Sequence, residues 1–222
     1  MTEGNKKTAI LIGAGELDSN MAEIIKTKQM EGSFIIALDG GLAFCEEQGI
    51  VPDRIVGDFD SLPVEKKNLL EKYPQEIIYR LPCEKDDTDT LAALRMTVDM
   101  GYQEFGIYGG LGGRFSHTMA NIQSLLFLKE QGLHGELVGA ESRIFLLKDE
   151  SCVLSANEKG YVSVFAFGGK AGGVTLANLK YEISNAELSD SFPIGVSNEF
   201  VGKEAEITVA KGILLVVTEQ KQ

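Results

Sequence analysis

The chain has no tryptophan, two histidines, three cysteines and five prolines in 222 residues. The cysteines, Cys45, Cys83 and Cys152, are odd in number and widely scattered. That excludes a disulfide framework and a zinc site of close ligand spacing, and it fits a reduced, cytoplasmic protein. No apolar run approaches the roughly 18 residues that mark a membrane span. The hydrophobic stretch in MTEGNKKTAILIGAG is too short for a secretory signal and is strand-like. Positive charge is also scarce: 21 Lys and Arg against 33 Asp and Glu give a formal net charge of −12. A nucleic-acid backbone is therefore not an expected partner. A polyphosphate remains compatible with an acidic surface if a divalent cation supplies the positive charge. At 44% hydrophobic residues, the chain has enough apolar material to bury a core in one large domain or two small ones.

The first 140 residues alternate. Short apolar runs (TAILIGAG, SFIIALDGG, DRIVGDFDS, EIIYRLP, EFGIYGG) are separated by helix-like segments. Strand and helix in this spacing predict parallel βαβ units, whose strands are buried on both faces and so continuously apolar. From Ser142 onward no amphipathic helix is legible. The runs RIFLLKDE, SCVLSA, YVSVFAFGG, GVTLANLKYEI, AEITVAKG and ILLVVTE, with Gly, Asn and Asp between them, predict an antiparallel sheet or sandwich. The expected division is an α/β domain over 1–140 and a β-rich domain over 141–222.

Carboxylates stand where charge is costly. Asp39 ends FIIAL, Asp58 and Asp60 end RIV, and Asp86, Asp87 and Asp89 follow EIIYRLP and open the next helix. Open α/β sheets bind ligands outside the carboxyl ends of their strands, so these side chains are expected to converge at one edge. Carboxylates brought together repel and would hold protons unless a cation intervened. Mg²⁺ suits the position, since it takes one or two carboxylates plus substrate phosphates. Asp87 or Asp89 could equally serve as a helix cap. Phe59, between the paired aspartates, reads as a core anchor.

Two stretches are glycine-rich. GAGELD (13–18) begins like a dinucleotide fingerprint, but Asp18 stands where the third glycine belongs, and it reads as a tight turn. In YGGLGGRFSHTMANI (108–122) four glycines allow close backbone approach to phosphate. Arg114 offers a guanidinium to phosphate oxygens. Ser116 or Thr118 is placed to cap the following helix, and His117 and Asn121 lie one turn apart on its face. His134, in QGLHGEL, reads as a loop residue.

In order, LDGG (38–41), GIVPDRIVGDFDS (49–61), EKDDTDT (84–90), GGLGGRFSHTMANI (109–122) and GVSNEF (195–200) resemble the thiamine pyrophosphokinase (thiamine diphosphokinase) family, and the resemblance runs through nearly the whole chain. It implies an N-terminal α/β domain, a C-terminal β-sandwich-like domain that binds thiamine, and a homodimer whose thiamine pocket forms between subunits. It also implies Mg²⁺-dependent transfer of the diphosphoryl group of ATP to the thiamine hydroxyl, giving thiamine diphosphate and AMP. By the same resemblance Asp58, Asp60 and Asp86 carry the metal and the catalytic work. Asp39, Thr88, Asp89, Arg114, His117 and Asn121 would be substrate contacts, and Ser197 and Asn198 would bond the aminopyrimidine. Ser116 departs from the family, which often carries aspartate before the histidine; a serine cannot neutralise metal charge. With no tryptophan, aromatic packing on thiamine falls to Phe or Tyr.

Overall fold

The computed structural model describes residues 6–59, 64–82 and 87–221, so Asp60 and Asp86 lie outside the described residues. The chain divides into two units, Met1–Ala140 and Glu141–Gln222.

In the first unit the elements run β1 (Thr8–Ile12), α1 (Ser19–Met30), β2 (Phe34–Leu38), α2 (Gly41–Gln48), β3 (Arg54–Gly57), a 3-10 segment (Val64–Lys72), β4 (Ile78–Arg80), α3 (Asp89–Asp99), β5 (Glu104–Tyr108), α4 (Phe115–Glu130) and β6 (His134–Val138). The strands are parallel in the order β6-β5-β1-β2-β3-β4. The apolar runs become strands because both faces are covered. Ile10, Ile12, Ile35, Ala37 and Ile55 pack with Met21, Ala22 and Ile25 of α1 and Leu42 and Cys45 of α2. The alternate residues Leu11, Ile36 and Val56 are buried as well, as expected of a sheet with helices on both sides. The chain winds from β1 outward to β4, then returns beside β1 with β5 and β6, which makes β1/β5 the topological switch point.

Helix starts follow local chemistry. Asp18 caps α1, its Oδ1 accepting from Met21 N at 2.8 Å. That is its work in GAGELD, in place of a dinucleotide glycine. His134 is a strand residue and not a loop residue: it opens β6 opposite Glu104, with Nδ1 3.2 Å from Lys129 Nζ.

Among the described residues the second unit contains strands and no helix: β7 (Ser142–Lys148), β8 (Ser151–Leu154), β9 (Tyr161–Ala166), β10 (Ala171–Ala177), β11 (Ile183–Leu188), β12 (Asn198–Glu199), β13 (Ala205–Thr208) and β14 (Ile213–Glu219). Within it, β12-β9-β14-β7 form one antiparallel sheet and β11-β10-β13-β8 another. Val162, Val164, Leu214 and Val216 of the first sheet share one core with Val174, Leu176, Ala205 and Ile207 of the second. The unit is therefore a sandwich. Leu214, Val216 and Thr218 alternate inward along β14, the period of two that a one-sided strand requires.

Candidate functional site

The carboxyl ends of β2 and β3 meet through glycine. Asp39 N donates to Val56 O at 2.9 Å. A Cβ on Gly57 would lie 3.2 Å from the Asp39 backbone and Cβ, so only glycine lets the strand ends approach this closely without displacement. Asp39 is buried and left-handed (φ 43°), and Phe59 is left-handed too (φ 63°). A bulky residue in that region is strained. Burial holds it there: Phe59 is 5% exposed among Ile55, Leu70 and their neighbours. The phenyl ring thus pins the turn that carries half-buried Asp58.

At the α3 start the cap is Thr88, whose hydroxyl accepts from Leu91 N at 3.2 Å. Asp89 is the first helical residue, an acid at the positive end of the dipole. Asp87 pairs with Arg95 at 2.6 Å. Of the DDTDT residues described, Thr88 is therefore the cap, and the two aspartates beside it have other tasks.

The two glycine turns, which follow adjacent strands β1 and β5, bind each other. Gly13 N donates to Tyr108 O (2.8 Å), Gly15 N to Gly109 O (2.9 Å) and Glu16 N to Leu111 O (3.0 Å). A Cβ on Gly13 or Gly15 would lie 2.7 or 2.6 Å from Gly109 O. Gly109, Gly112 and Gly113 have positive φ, and only Gly113 of the four turn glycines faces open space. The signal for this pairing lay in the sequence, as glycine clusters after two strands. Its meaning did not, because each cluster's partner is far along the chain.

Arg114 is the N-cap position of α4 and makes no side-chain cap bond. Ser116 lies inside the first turn, so neither Ser116 nor Thr118 caps the helix. Arg114, Ser116 and His117 are exposed. Asn121 is buried, and its Nδ2 donates to Gly110 O at 2.7 Å. Its amide fixes the glycine turn from behind.

In the second unit Ser197 is exposed and left-handed (φ 57°), with its N–H donating to Ser163 Oγ at 3.0 Å. Asn198 is buried. Its Oδ1 accepts from Tyr181 N and Glu199 N (both 2.9 Å), and its Nδ2 donates to Tyr181 O at 2.6 Å. Those bonds commit the amide to holding the 195–200 segment. A small groove beside it is lined by Phe165, Leu188, Phe192, Pro193 and Ile194. Phe165 and Phe167 are half-buried.

Among the described residues no three His, Cys, Asp or Glu side chains cluster as a metal site. Asp39 and Asp58 stand at neighbouring strand ends that Gly57 lets approach closely. These hard oxygen donors fit a cation that takes few protein ligands and completes its shell with water and phosphate.

A doubly wound sheet with carboxylates at adjacent strand ends and a glycine turn at its switch point belongs to the α/β proteins that bind ligands at that edge. The family model described as thiamin pyrophosphokinase, catalytic domain, matches residues 25–135. That described as thiamin pyrophosphokinase, vitamin B1 binding domain, matches residues 150–214. The chain belongs to the thiamin pyrophosphokinase family. Thiamine pyrophosphokinase of Bacillus subtilis (strain 168) is 28% identical over 189 residues, 84% of this chain and 87% of that one. Thiamine pyrophosphokinase 1 of Oryza sativa subsp. japonica is 27% identical over 167 residues, 71% of this chain and 62% of that one. The crystal structure of the Bacillus subtilis protein superposes with a TM-score of 0.86 at 25% identity, covering 97% of this chain and 100% of that one. That of yeast thiamin pyrophosphokinase gives 0.79 at 17% identity over 98% and 88%, a likeness of fold.

Proposed function

We propose that this chain is a Mg²⁺-dependent thiamine diphosphokinase. Its first unit handles ATP and metal, and its second unit handles thiamine. The reading is carried by Asp39 and Asp58 at adjacent strand ends, set by Gly57 and by the strained, buried Phe59, in a chain of this family. Asp58, with Asp60 and Asp86, would hold the cation. Mg²⁺ bound there would offset phosphate charge and favour departure of AMP. The thiamine hydroxyl oxygen forms the new bond to the β-phosphorus as the bond from that phosphorus to the AMP oxygen breaks, and a carboxylate of this edge accepts the hydroxyl proton. Thr88 and Asp89 at the start of α3, and Arg114 and His117 at the start of α4, would line the polyphosphate. Asn121 supports the turn beneath it, as Asn198 supports the thiamine-facing segment that carries Ser197. The proposal includes a homodimer with the thiamine site between subunits, and a cytoplasmic location.

The test is incubation with thiamine and ATP, with Mg²⁺ or with chelator, and separation of products. Thiamine diphosphate and AMP appearing together, only with metal, is the expected result. ADP with thiamine monophosphate would overturn the assignment of the attacked phosphorus, and equal product in chelator would overturn the metal.

A further inference from the structure

We infer that Arg80 is a phosphate-binding residue for the polyphosphate of ATP, an assignment that rests on the function proposed above. Strand β4 ends at Arg80, which is register partner to Gly57, and the next residue, Leu81, donates its N–H to Gly57 O at 2.9 Å. Arg80 therefore stands at the carboxyl end of its strand, beside the turn that presents Asp58. Its guanidinium carbon lies 5.2 Å from the centre of the Phe59 ring, while the residue as a whole stays exposed.

That geometry does two things. The ring face attracts the cation and limits where it can go. A guanidinium held over a ring keeps its in-plane N–H donors, whose fork matches phosphate oxygens. Phe59 in turn cannot move freely, being buried and left-handed. A positive group seated on the Phe59 ring thus stands beside the turn that carries Asp58, on an edge that has to receive a polyanion in a chain of net charge −12. In the strand order, β5 precedes Arg114 on one side of β1, and β4 carries Arg80 beyond β2 and β3 on the other. The two guanidinium residues bracket the strand ends that carry Asp39 and Asp58.

Two variants separate binding from packing. Arg80→Met keeps a linear stem over Phe59 without the charge; Arg80→Lys keeps the charge without the fork. Loss of a charge-assisted phosphate contact should raise KM for ATP in Arg80→Met by roughly tenfold to a hundredfold. KM for thiamine and Tm should stay at the unmodified protein's values, and Arg80→Lys should recover part of the loss. Calorimetric titration with inorganic tripolyphosphate and MgCl₂ should show the same loss of affinity. That readout does not depend on thiamine turnover. Arg80-dependent tripolyphosphate binding in a chain that makes no thiamine diphosphate would sink the proposed function and uphold this assignment. Unchanged ATP and tripolyphosphate affinity in Arg80→Met, or a joint shift of Tm and both KM values, would overturn it and leave Arg80 as a cover for Phe59.

Discussion

Asp58 is held in place by a residue of the core. Its neighbour Phe59 occupies a backbone region that disfavours bulky side chains, and burial of the ring holds it there. The consequence is separability. Asp58 is half-buried and outside the core cluster, and asparagine is close to it in size and shape, so Asp58→Asn should leave the protein folded with a cooperative melt. Loss of a preorganised charge at a reacting centre costs about 10²- to 10³-fold in turnover, and that fall in kcat is the expected outcome. Steady-state kinetics beside a melting curve checks it. A variant with the unmodified protein's kcat would remove Asp58 from the catalytic edge.

At the scale of elements, the supports of the edge can be tested one by one. Asn121 of α4 spans to Gly110 O. Asn121→Ala leaves a buried carbonyl without that donor, which should destabilise the fold by about 1–3 kcal/mol. KM for ATP should rise as the turn loosens. Urea unfolding and kinetics on the same preparation measure both, and a fall in stability with unchanged KM would confine Asn121 to packing. A second support ties α2 to the segment after β3. Glu46 accepts from Lys72 and from Tyr73 Oη (3.0 Å). The hydrogen bonds from Lys72 and then Tyr73 hold the Glu46 carboxyl below its usual range. Burial, then Glu46, pushes the Tyr73 phenol up to about 12, so it remains a donor. A depressed carboxylate stabilises fully above its unfolded value, and the contribution is lost as pH falls through the folded one. Glu46→Gln should therefore lower Tm near neutrality, with the difference from the unmodified protein closing as pH drops below the ordinary glutamate range. A Tm difference that is constant across that window would show the effect is not charge.

Legibility followed burial. Strands β1 and β2 were readable because parallel strands covered on both faces are apolar throughout. Strand β6, HGELV, escaped because only Leu137 in it is fully buried. Strand β11, ISNAEL, is half polar with one fully buried residue, and β12 is two residues long. The carboxylates stood out at the strand ends, where charge is unexpected. The supports of the candidate segments did not, because Gly57 to Asp39, Gly13 to Gly109 and Asn198 to Tyr181 are contacts across the fold. Local pattern reports which face is buried. It does not report what a glycine or an amide meets there.

For the whole molecule, the proposed dimer makes a quantitative claim. If each site joins the first unit of one chain to the second unit of its partner, two damaged chains can rebuild a good site. Asp58→Asn removes a carboxylate from the first unit. Ser197→Glu places a charge on the exposed left-handed residue of the second. Each variant alone should be inactive as a homodimer, since both of its sites contain the fault. Mixed by denaturation and refolding in equal amounts, half the dimers become mixed. By two-fold symmetry each mixed dimer carries one site with both faults and one with neither, so about a quarter of the unmodified protein's activity should return. A site built within one chain admits no such rescue, because every chain still carries a fault. Activity after refolding together, compared with the two variants refolded apart and then combined, decides between these. Recovery only in the co-refolded sample supports the shared site. Equal, near-zero activity in both, with mixed dimers demonstrated by mass, would place the whole reaction within a single chain.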